Sequence, residues 1–428
     1  MDKLPSKTFC IIPWSSICIP SHGDVRPCCI TDWDKGVIGN IKDMTLKEIW
    51  NHDTLKSLRL DMVNGVENDI CKICYNEERN NGYSKRRNMN EAHSHFPHNR
   101  SIPKFLNNMN PDGSMKNFEL DWLDVRFSSV CNYKCRTCNQ YTSSQWALEE
   151  AQFSSDGYKD GYLKDSKSFH LLEEETKFPV IPQLKETLKN TNMVYFSGGE
   201  PLLHLEHYEM LEHLIDIGNT DIALKYNSNG SVLGFKDKNI IELWKHFKNV
   251  EFYISIDGIG EREEYIRHGA DWQGQIDNIL QIQKEAPHVM LNFNTVVSIF
   301  NVLTIPELLD EMIKLKLLDL KTHIAPSLDI LVAPSYFNLN VLDKDTRGKA
   351  IENISNWIGK NLTGKDSEES NLYQQLQNII TYLKNNQELD ELRSKTKKEI
   401  DKIDSRRNEN FVKTFPELAH FYELCRGE

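Results

Sequence analysis

The chain has 428 residues and a formal net charge of −12, which argues against general binding to nucleic acid or to anionic membranes. Its apolar runs fall short of the ~18 residues that a membrane-spanning helix needs, and its N-terminus lacks the apolar core of a signal peptide. Its ten cysteines indicate metal sites rather than disulfides, so we expect a cytoplasmic protein. The length of 428 residues is enough for two or three domains.

Residues 1–90 contain six cysteines in a pattern typical of a metal-binding module. The six are Cys10, Cys18, Cys28, Cys29, Cys71 and Cys74. Cys71 and Cys74 form a CX2C turn, which can place two thiolates on one metal while two distant cysteines complete the set of four. Cys10 and Cys28 are the expected partners. Cys29 can replace Cys28, and Cys18 lies in an alternating strand where a buried apolar role is the alternative.

A second group of cysteines follows a predicted strand in the middle of the chain. The run Leu123–Phe127 is typical of a short β-strand and directly precedes a CX3CX2C loop. The loop cysteines are Cys131, Cys135 and Cys138. Three thiolates leave the fourth iron of a [4Fe–4S] cluster open, which distinguishes a chemical site from a structural one. The C-terminal end of a strand is also where α/β barrels place their chemistry.

Another strand is predicted at Met193–Phe196, which is β-branched and aromatic, and a polar turn follows it. The turn residues are Ser197, Gly198, Gly199 and Glu200. Two glycines let a ligand approach the backbone because no Cβ intervenes, and a glutamate can accept a hydrogen bond from an ammonium group.

Further strands are predicted at Ile222–Tyr226, Val250–Ile256 and Val289–Val297, and a helical pattern begins at Ile305. Strands that alternate with helical segments indicate βα units and a parallel sheet. The sequence therefore predicts an α/β fold.

The cysteine loop and the Gly-Gly-Glu turn together resemble the radical S-adenosylmethionine (SAM) superfamily. The resemblance implies a partial (β/α)6 TIM-like barrel, in which SAM binds the open iron of a [4Fe–4S] cluster. Reductive cleavage then gives methionine and a 5′-deoxyadenosyl radical that abstracts hydrogen from a substrate. One departure is Thr137, because the family usually has an aromatic residue before the third cysteine.

The same resemblance assigns SAM contacts outside the cysteine loop. It implies that the Gly-Gly-Glu turn binds the amino group of SAM and that Asn227 and Ser228 contact the ribose. Ser255 and Arg267 fall where the family holds the SAM carboxylate, and a guanidinium fork matches a carboxylate. The alternative is that Arg267 is an ordinary surface residue of a helix that is rich in acidic and basic side chains.

The N-terminal cysteines resemble the auxiliary-cluster modules called SPASM and twitch, which usually follow the barrel and here precede it. The cysteine count favours one auxiliary [4Fe–4S] cluster, and a four-cysteine zinc site is the alternative. The expected organisation is a twitch-like α+β module at 1–90, a turn-rich linker at 91–118, the barrel at 119–335 and a helical C-terminal region at 336–428.

The resemblance implies a radical SAM oxidoreductase or maturase-type enzyme acting on a peptide or protein, with an electron donor such as flavodoxin or ferredoxin. One alternative is the same chemistry on a small molecule such as a sugar or aminocyclitol. Another is a zinc-bearing binding module without redox activity. No catalytic acid or base is assigned. The candidates for proton transfer are His204, His323, Tyr226, Asp32 and His22.

Overall fold

The computed structural model of the protein describes residues 4–32, 35–80, 84–94, 101–153, 180–321, 326–363, 370–385 and 387–426. Its strands are β1 Ser16–Ile19, β2 Asp24–Val25, β3 Gly39–Asn40, β4 Trp122–Val125, β5 Met193–Phe196, β6 Ala223–Ser228, β7 Gly234–Phe235, β8 Lys238–Asn239, β9 Asn249–Ser255, β10 Met290–Val297 and β11 Ser327–Ile330.

The α-helices of the first half are α1 Ile12–Ser15, α2 Leu46–Trp50, α3 Asp53–Val63, α4 Lys72–Asn80, α5 Lys85–Ser94, α6 Ile102–Asn107, α7 Ser144–Phe153, α8 Val180–Thr187 and α9 Leu205–Asp216. Those of the second half are α10 Ile240–Trp244, α11 Glu261–Ile266, α12 Trp272–Glu285, α13 Ile305–Lys314, α14 Lys344–Asn361, α15 Asn371–Asn385, α16 Arg393–Arg407, α17 Phe411–Thr414 and α18 Ala419–Leu424. Short 3-10 helices lie at Asp69–Cys71, Pro201–Leu203, Val302–Thr304, Ser335–Phe337, Leu339–Val341, Asp390–Leu392 and Pro416–Leu418.

Seven of the strands form one sheet in the order β1-β4-β5-β6-β9-β10-β11. The pairs β1/β4, β4/β5, β5/β6 and β10/β11 are parallel. Helices follow most of these strands, which is the pattern of βα units. The structure thus confirms the α/β class and the partial TIM-like barrel, and it confirms the helical C-terminal region.

The first strand of the sheet comes from the N-terminal cysteine-rich segment. In β1, Ser16 pairs with Trp122 and Ile19 pairs with Val125 of β4. All four residues of β1 are buried, as expected for a strand covered on both faces. The N-terminal segment therefore contributes a strand to the barrel sheet, which its alternating sequence alone did not indicate.

The chain divides into two compact units. The first comprises residues 1–131, 140–226 and 233–251, and the second comprises residues 132–139, 227–232 and 252–428. These bounds differ from the boundaries expected at residues 90 and 118, because pairing of β1 with β4 joins the N-terminal module to the first barrel strands. Part of the expected linker is also packed, since Ile102 and Phe105 of α6 are buried.

In the first unit, one face of the sheet is closed by helix α9. Phe196 and Tyr226 are buried on that face, and the Phe196 ring lies 4.7 Å from the ring of His207. His207 Nε2 also lies 3.0 Å from the Tyr226 hydroxyl. On the other face, Tyr195 and Lys225 are only half-buried. The more open face of the sheet therefore carries polar side chains.

In the second unit, α14 is held to its neighbours by buried polar contacts. The Arg347 guanidinium donates to the carbonyls of Leu342 and Asn340, at 3.0 and 2.8 Å. Trp357 Nε1 donates to Asp310 Oδ1 of α13 at 2.7 Å. Among the described residues, no helix combines the length and the apolar character needed to cross a lipid bilayer.

Candidate functional site

The CX3CX2C loop follows β4, and its backbone amides donate hydrogen bonds to neighbouring residues. In the first unit, the Cys131 amide donates to Ser144 Oγ at 3.3 Å. In the second, the Lys134 amide donates to the carbonyl of His268 at 2.9 Å. Hydrogen bonding between the Cys135 and Cys138 thiols, together with burial, raises the pKa of Cys135. Two of the three predicted iron ligands are therefore in contact, and their sulfur donors fit an iron–sulfur cluster.

Arg136 braces the cysteine loop against the C-terminal helices of the second unit. Its side chain is fully buried, and Nη2 donates to Asp404 Oδ1 of α16 at 2.6 Å and also to Glu409. The guanidinium also stacks on the Tyr265 ring, 3.6 Å from its centroid. Sequence reasoning missed this residue. The available signal was a charged side chain between two predicted iron ligands, but its partners Asp404 and Glu409 lie 268 and 273 residues later in the chain.

The Gly-Gly-Glu turn packs directly on the cysteine loop within the first unit. The Gly199 amide donates to the carbonyl of Ser128 at 3.1 Å, and the Glu200 amide donates to that of Val130 at 2.8 Å. A Cβ placed on Gly199 would lie 2.1 Å from the Val130 oxygen. The Cβ-free space at Gly199 is thus filled by the cysteine loop, and contact of this turn with SAM stays a prediction.

Replacing Gly199 with alanine should therefore displace the cysteine loop. We expect the free energy of unfolding to fall by about 1–3 kcal/mol, as for other substitutions that overpack a core. The matched control is Gly348→Ala in α14, where an added Cβ meets nothing within 4 Å and alanine favours the helix. Thermal melting of both variants measures the difference. Equal melting temperatures would show that the turn does not need glycine.

The polar groups around this turn differ in how well they are satisfied. The Glu200 side chain is fully buried, and its Oε1 accepts from the Leu202 amide at 3.1 Å. The hydroxyls of Ser129 and Ser197 are buried, and neither has a hydrogen-bond partner within the described residues. A buried hydroxyl without a hydrogen bond destabilises the fold unless a ligand forms a hydrogen bond with it. These two hydroxyls fit a polar ligand such as SAM.

The second unit carries the other residues expected to contact SAM. Asn227 Oδ1 accepts from Asn294 Nδ2 at 2.9 Å, and Ser228 Oγ accepts from the Gly230 amide at 3.0 Å. The backbone carbonyl of Ser255 accepts from a glutamine side chain on α12 at 3.4 Å. All three residues therefore have protein partners.

Arg267 is neither exposed nor free. Its Nη1 donates to Asp257 Oδ2 at 2.7 Å, and its Nε lies 3.5 Å from Glu263 Oε1. Its side chain is 11% exposed, which differs from the surface charge weighed as the alternative. The two carboxylates hold the guanidinium in place, and its role toward SAM stays a prediction.

The four predicted auxiliary ligands line one cavity in the first unit. Cys10, Cys28, Cys71 and Cys74 surround about 390 Å³ of atom-free space, part of it open to solvent. Among the described residues, no three His, Cys, Asp or Glu side chains converge on a single point as around one metal ion. The thiols instead surround a volume. Because the cysteines come from three separate segments, this arrangement is a product of the fold.

Two cations lie against this cavity. Lys85 and Arg86 at the start of α5 both line it, and the Arg86 guanidinium is fixed by Glu78 Oε1 at 2.9 Å. Burial raises the pKa of Cys10 to about 12, so its thiolate form needs a cationic environment. Four thiols flanked by two cations fit a [4Fe–4S] cluster with four thiolate ligands.

Cys29 and Cys18 lie outside the lining of this cavity. Cys29 Sγ accepts from Lys85 Nζ at 2.9 Å. Cys18 is buried in β1 opposite Asp124, whose pKa is raised to about 6 by burial. The geometry therefore favours Cys28 over Cys29 as the fourth ligand.

The candidates for proton transfer have ordinary protein partners. His204 lies 3.4 Å from Ser128 Oγ, Tyr226 contacts His207, and His22 lies 3.3 Å from Asp24. Asp32 pairs with Lys72. His323 lies outside the described residues. None of these contacts singles out a catalytic acid or base.

Comparison with known proteins gives two family matches. Residues 10–75 match the SPASM model, described as an iron-sulfur cluster-binding domain. Residues 125–312 match the Radical SAM superfamily model. Both matches lie where the sequence predicted the corresponding module. No curated protein matches the chain.

Solved structures show weaker likeness. Native anSMEcpe with bound AdoMet is 18% identical with a TM-score of 0.37, covering 55% of this chain and 59% of that chain. A structure of TYW1 with a lysine-pyruvate adduct bound is 14% identical with a TM-score of 0.28, covering 56% and 72%. The chain thus spans about three fifths of the length of the anSMEcpe chain that it matches.

Proposed function

Because residues 125–312 match the Radical SAM superfamily and residues 10–75 match the SPASM iron-sulfur cluster-binding domain, we propose that this chain is an enzyme that reductively cleaves SAM. The observation that carries the proposal is the cavity lined by four thiols in the N-terminal module, together with the three-cysteine loop after β4. The four cavity thiols can coordinate all four irons of a cluster, whereas the three loop cysteines leave one iron with an open coordination position.

The residues of the chain have distinct proposed tasks. Cys131, Cys135 and Cys138 hold the SAM-binding cluster. When bound, this reduced cluster supplies the electron that cleaves SAM to methionine and a 5′-deoxyadenosyl radical, which abstracts hydrogen from the substrate.

The SAM contacts are also proposals. We assign the turn Ser197–Glu200 to the amino group, Asn227 and Ser228 to the ribose, and Ser255 and Arg267 to the carboxylate. The unsatisfied Ser197 hydroxyl supports the first assignment. The existing partners of Arg267 mean that it would have to share its guanidinium with Asp257 and Glu263.

Cys10, Cys28, Cys71 and Cys74 hold the auxiliary cluster in this proposal. Lys85 and Arg86 balance its charge, since both line the same cavity. We propose a peptide or protein as the substrate and flavodoxin or ferredoxin as the electron donor, as the resemblance to the superfamily implies.

Anaerobic purification and reconstitution test this function directly. The protein should be brown, carry about eight irons as two four-iron clusters, and release 5′-deoxyadenosine from SAM when reduced. A colourless protein that contains zinc and leaves SAM intact would instead support a binding module without redox activity.

A further inference from the structure

Four polar side chains share the more open face of β4 and β5 in the first unit. Asp124 pairs with Tyr195 in the parallel register. Since side chains alternate along a strand, Arg126 and Ser197, each two residues further on, lie on the same face. The Ser197 amide donates to the Val125 carbonyl, so the strands still contact one another there. This polar group lies at the C-terminal edge of the sheet, where α/β proteins bind ligands.

Arg126 is the least satisfied cation of this face. Its Nε is buried, and no hydrogen bond to it is found within the described part of the chain. The nearest carboxylate oxygen is Asp124 Oδ1, at 3.8 Å, which is too far for a hydrogen bond. Its side chain is 27% exposed, so a ligand can reach it.

Two other buried arginines of the first unit, Arg86 and Arg59, have side chains that donate hydrogen bonds to the protein. Arg86 donates to Glu78 and to the Phe9 carbonyl, and Arg59 donates to the carbonyls of Pro13 and Trp50 at 2.9 Å each. Leaving buried donors without partners is costly. Arg59 Nη2 also lacks a partner, but Arg126 differs because its whole side chain makes no hydrogen bond within the described residues, and a bound anion would supply one.

Tyr195 supplies a second donor on the same face of the sheet as Arg126. Its ring is held edge-on against Trp122, at 6.4 Å between centroids. Burial and the nearby charge of Asp124 raise the pKa of Tyr195, so its hydroxyl keeps its proton. Within the described residues, this hydroxyl makes no hydrogen bond. A guanidinium fork and a neutral hydroxyl donor on one face match the two oxygens of a carboxylate.

The direction of the Arg126 side chain indicates which carboxylate this is. The Arg126 Cβ approaches the Gly-Gly-Glu turn, since a Cβ built on Gly198 would lie 2.9 Å from the Arg126 Cβ. The Arg126 Nε lies 3.8 Å from Asp124 Oδ1, and Asp124 pairs with Cys18 of β1 in the N-terminal segment. The guanidinium therefore extends away from the turn assigned to SAM and toward the N-terminal cysteine-rich segment.

We propose that Arg126 and Tyr195 form a binding subsite for a carboxylate of the substrate. This inference rests on the proposed function for the existence of a substrate, and it narrows the substrate class to molecules that carry a carboxylate. A peptide with an acidic side chain or a free C-terminus meets this requirement.

Arginine-specific labelling tests the subsite in the intact protein. Anaerobically reconstituted, SAM-loaded protein is treated with phenylglyoxal, and the adduct at Arg126 is measured by mass spectrometry. Succinate is the probe, and succinamide, its neutral isostere, is the matched control at equal ionic strength. Succinate should slow labelling of Arg126, and succinamide should not. Arg79 is exposed and should label equally in both, whereas Arg136 is fully buried and should stay unlabelled.

A variant tests the second donor. Tyr195→Phe should raise the succinate concentration needed for half-protection of Arg126 about tenfold, as loss of a hydrogen bond to a charged group predicts. Unchanged protection would remove Tyr195 from the subsite and overturn the proposal as stated.

Two results in wild-type protein would overturn it entirely. Equal protection by succinate and succinamide would mean that Arg126 does not recognise charge, and absence of labelling without any ligand would mean that Arg126 is inaccessible. Protection by SAM alone, compared with SAM-free protein, would assign Arg126 to the SAM carboxylate instead. Since labelling needs no turnover, failure of SAM cleavage would refute the proposed function without deciding this test.

Discussion

Replacing Cys131, Cys135 and Cys138 together with alanine should abolish formation of 5′-deoxyadenosine from SAM. These are the cysteines of the loop after β4, and Cys135 and Cys138 are in contact through their thiols. Without them no side chain holds the iron that must bind SAM. The iron content should fall from about eight to about four per chain, because the second group of thiols remains.

Cys425→Ala is the matched control for this triple variant. Cys425 is a buried thiol of the second unit, but it lies outside both cysteine groups. The control should keep about eight irons and should still cleave SAM. Iron analysis and chromatography of the reaction products give both readouts. If the triple variant makes as much 5′-deoxyadenosine as wild type, the loop does not hold the catalytic cluster.

Replacing Cys71 and Cys74 with alanine should have a different signature. Both thiols line the N-terminal cavity. Iron should again fall to about four per chain, yet SAM cleavage should persist, because the SAM-binding iron is held by the other cysteines. Turnover of the substrate should decline more than SAM cleavage does. This separation of the two activities is the largest effect expected of the N-terminal module.

The adjacent cysteines provide a sharper version of the same experiment. Cys28→Ser should lose the auxiliary cluster, since Cys28 lines the cavity. Cys29→Ser should retain it, since its sulfur is held by Lys85 outside that lining. Iron content and the electron paramagnetic resonance spectrum of the reduced protein distinguish the two variants. Zinc in this cavity after anaerobic purification would contradict the auxiliary-cluster assignment and leave the SAM-binding cluster untouched.

Local sequence patterns predicted the central strands well. The strand expected at Met193–Phe196 has those bounds, and the one expected at Val289–Val297 begins one residue later, at Met290. The helix expected from Ile305 begins there. Each of these segments combines β-branched or periodic apolar residues with a clear turn, so neighbouring residues alone determine its structure.

Long-range partners could not be predicted in the same way. The pairing of β1 with β4 joins segments more than 100 residues apart, and no local pattern specifies which strand an alternating run will join. The two carboxylates that hold Arg267 lie close to it in sequence, but a charged helical run looks the same whether it faces solvent or the interior. The sequence therefore located the cysteine sites and did not reveal what surrounds them.

The contacts that hold Arg136 form late during synthesis of the protein, because their partner residues lie near the C-terminus. Asp404 is 268 residues later in the chain than Arg136. At a synthesis rate of about 5–20 residues per second, a ribosome needs roughly 13–54 s to cover that distance. During that interval the nascent loop has its thiols but lacks the carboxylates that fix it. Iron delivered in that interval would meet an unbraced loop, and the loop reaches its final arrangement only once α16 has emerged.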